Sequence, residues 1–284
     1  VATARGSYAK RLFLGVLFYV VATGLVVFWL IPLVIAVFTS AKSMDELMSS
    51  KYIWMLPARW VWSNFQDVWT RVGMSRYVLN TFIITVPSVI GTLAISSLGA
   101  FALAFYQFRL NKTFLIIFVA GMLIPFQMLM IPVYRFSSAV GLLNSFPGII
   151  LFHVAFQLGF CTFFLRNFMK QIPYSLFEAS KLDGARDFTI YREVVLPLSI
   201  SSMAALAVLE FTWIWNDLLW ALVLLQSDRL KPVTLGLANM QGEFITSYNI
   251  IAAGSLVAAV APVLIFLLFQ RFFIDGLTVG AEKG

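Results

Sequence analysis

The sequence is short of charge. Of its 284 residues only 12% are Asp, Glu, Lys or Arg, against roughly 25% in an average soluble domain. Hydrophobic residues make up 61%, and the mean hydropathy is +0.90. Too little polar surface remains to coat a domain in water, so the solvent for most of the chain is lipid. Histidine and cysteine are nearly missing as well. A lone Cys161 excludes an internal disulfide, and a lone His153 cannot by itself build a zinc site. There is no Gly-Lys dipeptide anywhere, so the phosphate-cradling loop of a nucleotide-binding chain is absent. No Ser/His, His-rich or paired-carboxylate constellation marks a catalytic centre at a membrane surface. The net charge of +7 does not point to nucleic acid. The 20 basic residues form no long run and sit mostly at the ends of apolar stretches, where membrane topology puts them.

Six apolar stretches reach the roughly 20 residues that a bilayer requires: 12–38, 77–106, 113–134, 147–168, 198–225 and 249–273. The expected class is an all-α polytopic membrane protein with six transmembrane helices. Its membrane domain would be 12–274, between an N-terminal segment 1–11 and a tail 275–284. The basic N-terminal segment resembles a secretory signal, but its apolar run far exceeds a signal h-region of about 7–15 residues, so it reads as an uncleaved first span. Pro32, Pro87, Pro125 and Pro262 fall inside spans and free carbonyls that other groups must satisfy, so kinks are expected there. With both termini in the cytoplasm, twelve Lys/Arg lie inside and eight outside. Five of those eight belong to the long first outer loop, which follows the positive-inside rule weakly. That loop carries Tyr52, Trp54, Trp60, Trp62, Phe65 and Trp69, an interfacial belt or a docking surface for an external partner.

The most polar cytoplasmic stretch, 171–197, reads as a short helix, a turn and a second short helix. Ser175 and Glu178 have the spacing of a capping box, with Pro173 preceding it. Gly184 suits a left-handed turn, and Pro197 stands near the start of span five, where a missing N–H costs least. Small residues Ala179, Ser180, Gly184 and Ala185 allow close approach, and Leu176, Phe177, Leu182 and Phe188 offer apolar knobs. The segment is either a contact element or an ordinary structured loop.

Glu178-Ala179-Ser180, then Gly184 after three residues, then Val194-x-Leu196-Pro197 after nine, resembles the EAA motif of ABC importer permeases. Ser180 and Val194 are its departures, standing for alanine and isoleucine. Trp213-Ile214-Trp215-Asn216-Asp217 and the ending from Gln270 are similar to carbohydrate-importer permeases, and closest to the smaller, six-span member of the maltose-type pair. The resemblance implies a type I ABC-importer permease fold in a bacterial or archaeal inner membrane, with a cytoplasmic coupling helix. Glu178, Ala179, Ser180, Gly184, Leu196 and Pro197 would then serve contact with the ATPase. It implies a second permease subunit, two ABC ATPase subunits that bind ATP and Mg, and an extracytoplasmic substrate-binding protein. This chain would carry no cofactor and no ATPase site of its own.

In span five, Glu210 and Asp217 are seven residues apart and share a helix face, with Trp213 on it and Asn216 beside it. Carboxylates at membrane depth face protein or water-filled cavities. These four residues either line a sugar passage or make structural hydrogen bonds. An ion-coupled secondary transporter using Glu210 and Asp217 as a proton relay is the alternative, weakened by the absence of an evident internal repeat. His153 and Gln157 share a face of span four and read as hydrogen-bonded structure.

Overall fold

The computed structural model describes residues 2–49, 54–240 and 247–278, with side chains from 12 to 272. Lys51, Tyr52, the side chains of residues 1–11 and most of the tail therefore lie outside the described residues. The described chain is helical: α1 Ala2–Ser40, α2 Met44–Ser49, α3 Ser63–Thr70, α4 Met74–Phe105, α5 Asn111–Met122, α6 Met130–Ala139, α7 Phe146–Met169, α8 Tyr174–Leu182, α9 Asp187–Ile190, α10 Leu196–Leu198, α11 Ile200–Trp215, α12 Leu219–Leu224, α13 Val233–Asn239 and α14 Tyr248–Thr278. Among the described residues, four helical stretches are long and apolar enough to cross a membrane: Leu12–Ser40, Met74–Phe105, Phe146–Met169 and Tyr248–Phe272.

Two expected spans are broken. Within 113–134, Asn111–Met122 meets Phe126–Ala139 at 93°; 198–225 divides between Trp215 and Leu219, and at its start Asp187–Leu198 meets Ile200–Trp215 at 75°. Pro125 makes the first break: it has φ −58°, ψ 119°, donates no N–H and pushes Ile124 away from helical conformation. Pro32, Pro87 and Pro262, by contrast, lie inside helices that run through them. At Pro262 the compensation is visible. A proline at that position leaves the carbonyl four residues earlier, Ala258, without its helical donor, and the indole N–H of Trp215 donates to that carbonyl at 3.0 Å.

The chain forms two compact units. The first holds residues 1–73 and 240–257. Here Asn64 joins the end of α1 to the following chain. Its Nδ2 donates to the carbonyls of Ser40 and Lys42, both at 2.8 Å, and its Oδ1 accepts from Asn249 at 3.1 Å. Trp60 stacks on Trp62 and meets Phe38 edge-on. The apolar side chains of α1 from Leu12 to Val34 are nearly all exposed, as a lipid-facing helix requires.

The second unit holds residues 74–239 and 258–284. Its core is α4 packed along α7 and α11. Thr81, Thr85, Ser88, Thr92 and Ser96 form a buried stripe on α4. Across the α4–α7 contact, Gly91 lies against Val154 and Gly99 against Thr162, where an added Cβ would stand only 3.0 and 3.3 Å from the facing side chains. Small and hydroxyl side chains let helices approach closely in lipid, where the hydrophobic effect gives no drive between them. Interruptions are closed by side chains. Asn80 Nδ2 donates to the carbonyls of Arg229 and Lys231, and Asn144 Oδ1 accepts from the N–H groups of Gln226 and Ser227.

Trp215→Phe keeps an aromatic ring, though a smaller one, but leaves the Ala258 carbonyl unpaired, which should destabilise the protein by about 1–3 kcal/mol. In a Pro262→Ala background that carbonyl regains its helical donor, so the same substitution should cost measurably less. Thermal unfolding in detergent across the double-mutant cycle reads the coupling. Equal costs in both backgrounds would disprove the link.

Candidate functional site

Segment 171–198 is built on the ends of α4 and α7. Pro173, at φ −55° and ψ 126°, is the residue before α8, and no side chain caps the helix. This corrects the capping-box expectation: the proline ring sets the chain's turn into the helix, which begins at Tyr174 and puts Ser175 inside its first turn. At the other end Gly184 has φ +79°. Its N–H donates to Lys181 O and that of Ala185 to Ser180 O, both at 3.0 Å. This is a Schellman closure, in which a left-handed glycine returns two N–H groups to the last helical carbonyls. An ion pair between Lys181 and Asp187 clamps the turn from outside. The lysine holds the Asp187 carboxyl below the usual carboxylate range.

Beyond the turn, α9 continues through a π-helical stretch, Tyr191–Val195, into α10. Pro197 therefore stands late in this helix, two residues before the bend at Ser199, and not at the start of span five. It donates no N–H and its ring crowds the Glu193 carbonyl. The π turn just before it, closed by Leu196 N–H to Tyr191 O, accommodates the mismatch.

One face of α8 is socketed. Phe177 is buried among Phe101, Phe105, Tyr106 and Tyr174, with centroids at 6.3, 5.2, 5.5 and 5.5 Å. Tyr191 bonds Ser97 through the hydroxyls at 2.7 Å, and the cluster continues into Cys161, Leu165 and Met169 of α7. Phe177 is thus a root and not a free knob. The other face is open. Leu182 is 89% exposed, and Leu176 and Phe188 are exposed too. Of the motif positions, Glu178, Ala179, Gly184 and Pro197 are exposed, while Ser180 and Leu196 are half-buried. A Cβ at Gly184 would meet nothing within 4 Å.

The span-five residues do not share one face. Glu210 is 0% exposed, and its Oε1 accepts from the Cys161 thiol at 3.1 Å. Trp213 is 46% exposed and packs on Phe160 at 5.2 Å. The helix then ends at Trp215, so Asn216 and Asp217 escape the periodicity that was extended through them. Asn216 Nδ2 bonds the Thr212 carbonyl. The Asp217 carboxylate accepts from the N–H groups of Trp220 and Ala221 at 3.2 and 3.1 Å, capping α12. His153 Nε2 lies 3.6 Å from that carboxylate. An Asn-Asp pair between apolar runs is a helix-stop and helix-start signal, and it marked the break in the sequence. Trp213 and Gln157 do share a cavity. They line a largely apolar cavity of about 1050 Å³ with Phe118, Met122, Phe156 and Phe160. Among the described residues no group of three or more His, Cys, Asp or Glu could hold a metal.

Residues 95–277 match the family model of binding-protein-dependent transport system inner membrane components, and the chain belongs to that family. It is a permease subunit of the ABC importer type. A probable ABC transporter permease protein of Pyrococcus horikoshii is 31% identical over 252 residues, 88% of this chain and 91% of the relative. An arabinooligosaccharides transport system permease protein of Halalkalibacterium halodurans is 32% identical over 255 residues, 89% of this chain and 91% of the relative. A bacterial ABC transporter involved in import of the acidic polysaccharide alginate superposes with a TM-score of 0.80 at 22% identity, over 93% of this chain and 98% of that one.

With Cys161→Ser as background, Asn216→Cys in the solubilised subunit should react readily with a small maleimide. Glu210→Cys should react at least about tenfold more slowly, because thiol chemistry needs access and ionisation. Equal rates would contradict the separation of the two positions.

Proposed function

We propose that this chain forms half of the translocation pathway of an ATP-driven importer for a sugar or related polyol or glycoside. In this reading α8 is the coupling helix, docked in a cleft of a separate ATPase. A second permease completes the pore, two ATPases bind ATP and Mg, and an extracytoplasmic binding protein delivers the substrate. The chain carries no ATPase site. It crosses the inner membrane six times, each bent helix pair counting as one span, with both termini in the cytoplasm. The positive-inside distribution supports that orientation, and the names of the relatives support a saccharide substrate.

The observation that carries the assignment is the two-faced character of α8. One face is locked into the membrane domain through Phe177, and the other presents apolar and small residues to solvent beside a rigid Schellman turn. A helix held this way passes an external push to α4 and α7 without bending. The proton-relay alternative has no comparable support, since both carboxylate oxygens of Asp217 accept backbone N–H groups.

Gly184→Asp tests the assignment. Asp tolerates the left-handed region better than most residues, and a Cβ at this position meets nothing within 4 Å. Insertion and complex assembly should persist, while ATP-driven sugar uptake in proteoliposomes is abolished. Normal uptake by the variant would remove α8 from the coupling route. Arrest of uptake by collapsing the proton gradient at held ATP would favour the ion-coupled reading.

A further inference from the structure

A second cavity, of about 620 Å³, opens where α4, α5, α7 and α8 come together, lined among others by Arg109, Lys112, Arg166, Lys170, Asn111 and Tyr174. Four cations line it and no carboxylate does. Among the described residues none of the four has a carboxylate within 4 Å. Arg166 Nη1 donates to Asn167 at 3.2 Å, but its Nε is buried without a partner. Burying a charged donor unpaired is costly, and crowding four like charges around one hollow adds to that cost. The hollow also receives the start of α5, a twelve-residue helix without a side-chain cap. Asn111 turns its amide back to the carbonyls of Leu103 and Tyr106, so it does not close that positive helix end.

We infer that this cavity is a binding site for a phosphate group. Phosphate oxygens accept the fork of an arginine and the point charges of lysines together, and basic pockets between membrane helices suit anionic lipid headgroups. The exposed ring of Phe108 also lines the cavity. It gives apolar contact that a lipid phosphate uses and a free phosphate does not, so the lipid is the favoured source. The occupant ties together three roots: the chain after α4, the end of α7, and Tyr174, the first residue of α8. An anionic lipid there stiffens the base on which α8 moves. The leaflet that supplies it depends on the orientation proposed above; occupancy of the site does not.

The test uses the assembled complex. It is reconstituted in nanodiscs of mixed phosphatidylcholine and phosphatidylglycerol, and retained lipid is counted by native mass spectrometry. Wild type should retain phosphatidylglycerol selectively. Lys112→Gln/Lys170→Gln should lower that retention by at least about fivefold per charge removed, the factor that goes with the contribution of one basic residue at an anionic surface, and Lys112→Arg/Lys170→Arg should preserve it. In a second arm the delipidated complex is titrated with inorganic phosphate while its melting temperature is followed. Stabilisation of wild type and not of the Gln variant, without lipid retention, would assign the site to free phosphate. Lipid retention equal in wild type and Gln variant, or no selective retention and no phosphate stabilisation, would overturn the site. Retention is read without ATP or sugar, so failure of the importer reading and failure of this site give different results.

Discussion

Backbone groups that have no water to bond to govern this structure. In hydrocarbon every N–H and C=O must be satisfied from within the protein, and at several interruptions of the helices a side chain takes up the loss. Asn64, Asn80, Asn111 and Asn144 each bridge two backbone groups where the chain leaves a helix. Asp217 caps α12, and Trp215 serves the carbonyl freed by Pro262. The same constraint accounts for Asn216 and Asp217 leaving the Glu210 face: both already bond backbone groups at the break.

The same economy shapes the segment around α8. A Schellman turn at Gly184, the Lys181–Asp187 pair and the Phe177 socket fix the position of a nine-residue helix too short to be stable alone. Rigidity on one side leaves the opposite face free without loosening the element. The basic hollow beneath Tyr174 lies at the same root, so the packing that seats α8 also gathers the unpaired cations.

Much of this was legible in the sequence. Apolar length gave the apolar stretches Leu12–Ser40, Met74–Phe105, Phe146–Met169 and Tyr248–Phe272 within a few residues, although α1 itself begins ten residues earlier, because length and hydropathy decide membrane helices almost alone. Gly184 was readable as a left-handed turn because glycine has no Cβ to oppose positive φ. The breaks were harder. Pro125 stands at a break while Pro32, Pro87 and Pro262 stand inside helices, and at Pro262 a distant indole, Trp215, serves the freed carbonyl. Periodicity carried through Asn216 and Asp217 put them on a face with Glu210, although their own chemistry stops the helix. Phe177 looked like a free knob because no local pattern distinguishes a socketed ring from an exposed one; only the packing of α4 does that.

The central claim is that the free face of α8 receives the ATPase. Photo-crosslinking in intact cells tests it most directly, with a crosslinking amino acid placed in turn at Leu182, Phe188 and Phe177. The account predicts that Leu182 and Phe188 capture the ATPase chain and that Phe177 captures only its own subunit. Absence of ATPase capture at Leu182 and Phe188, with the complex intact, would contradict it.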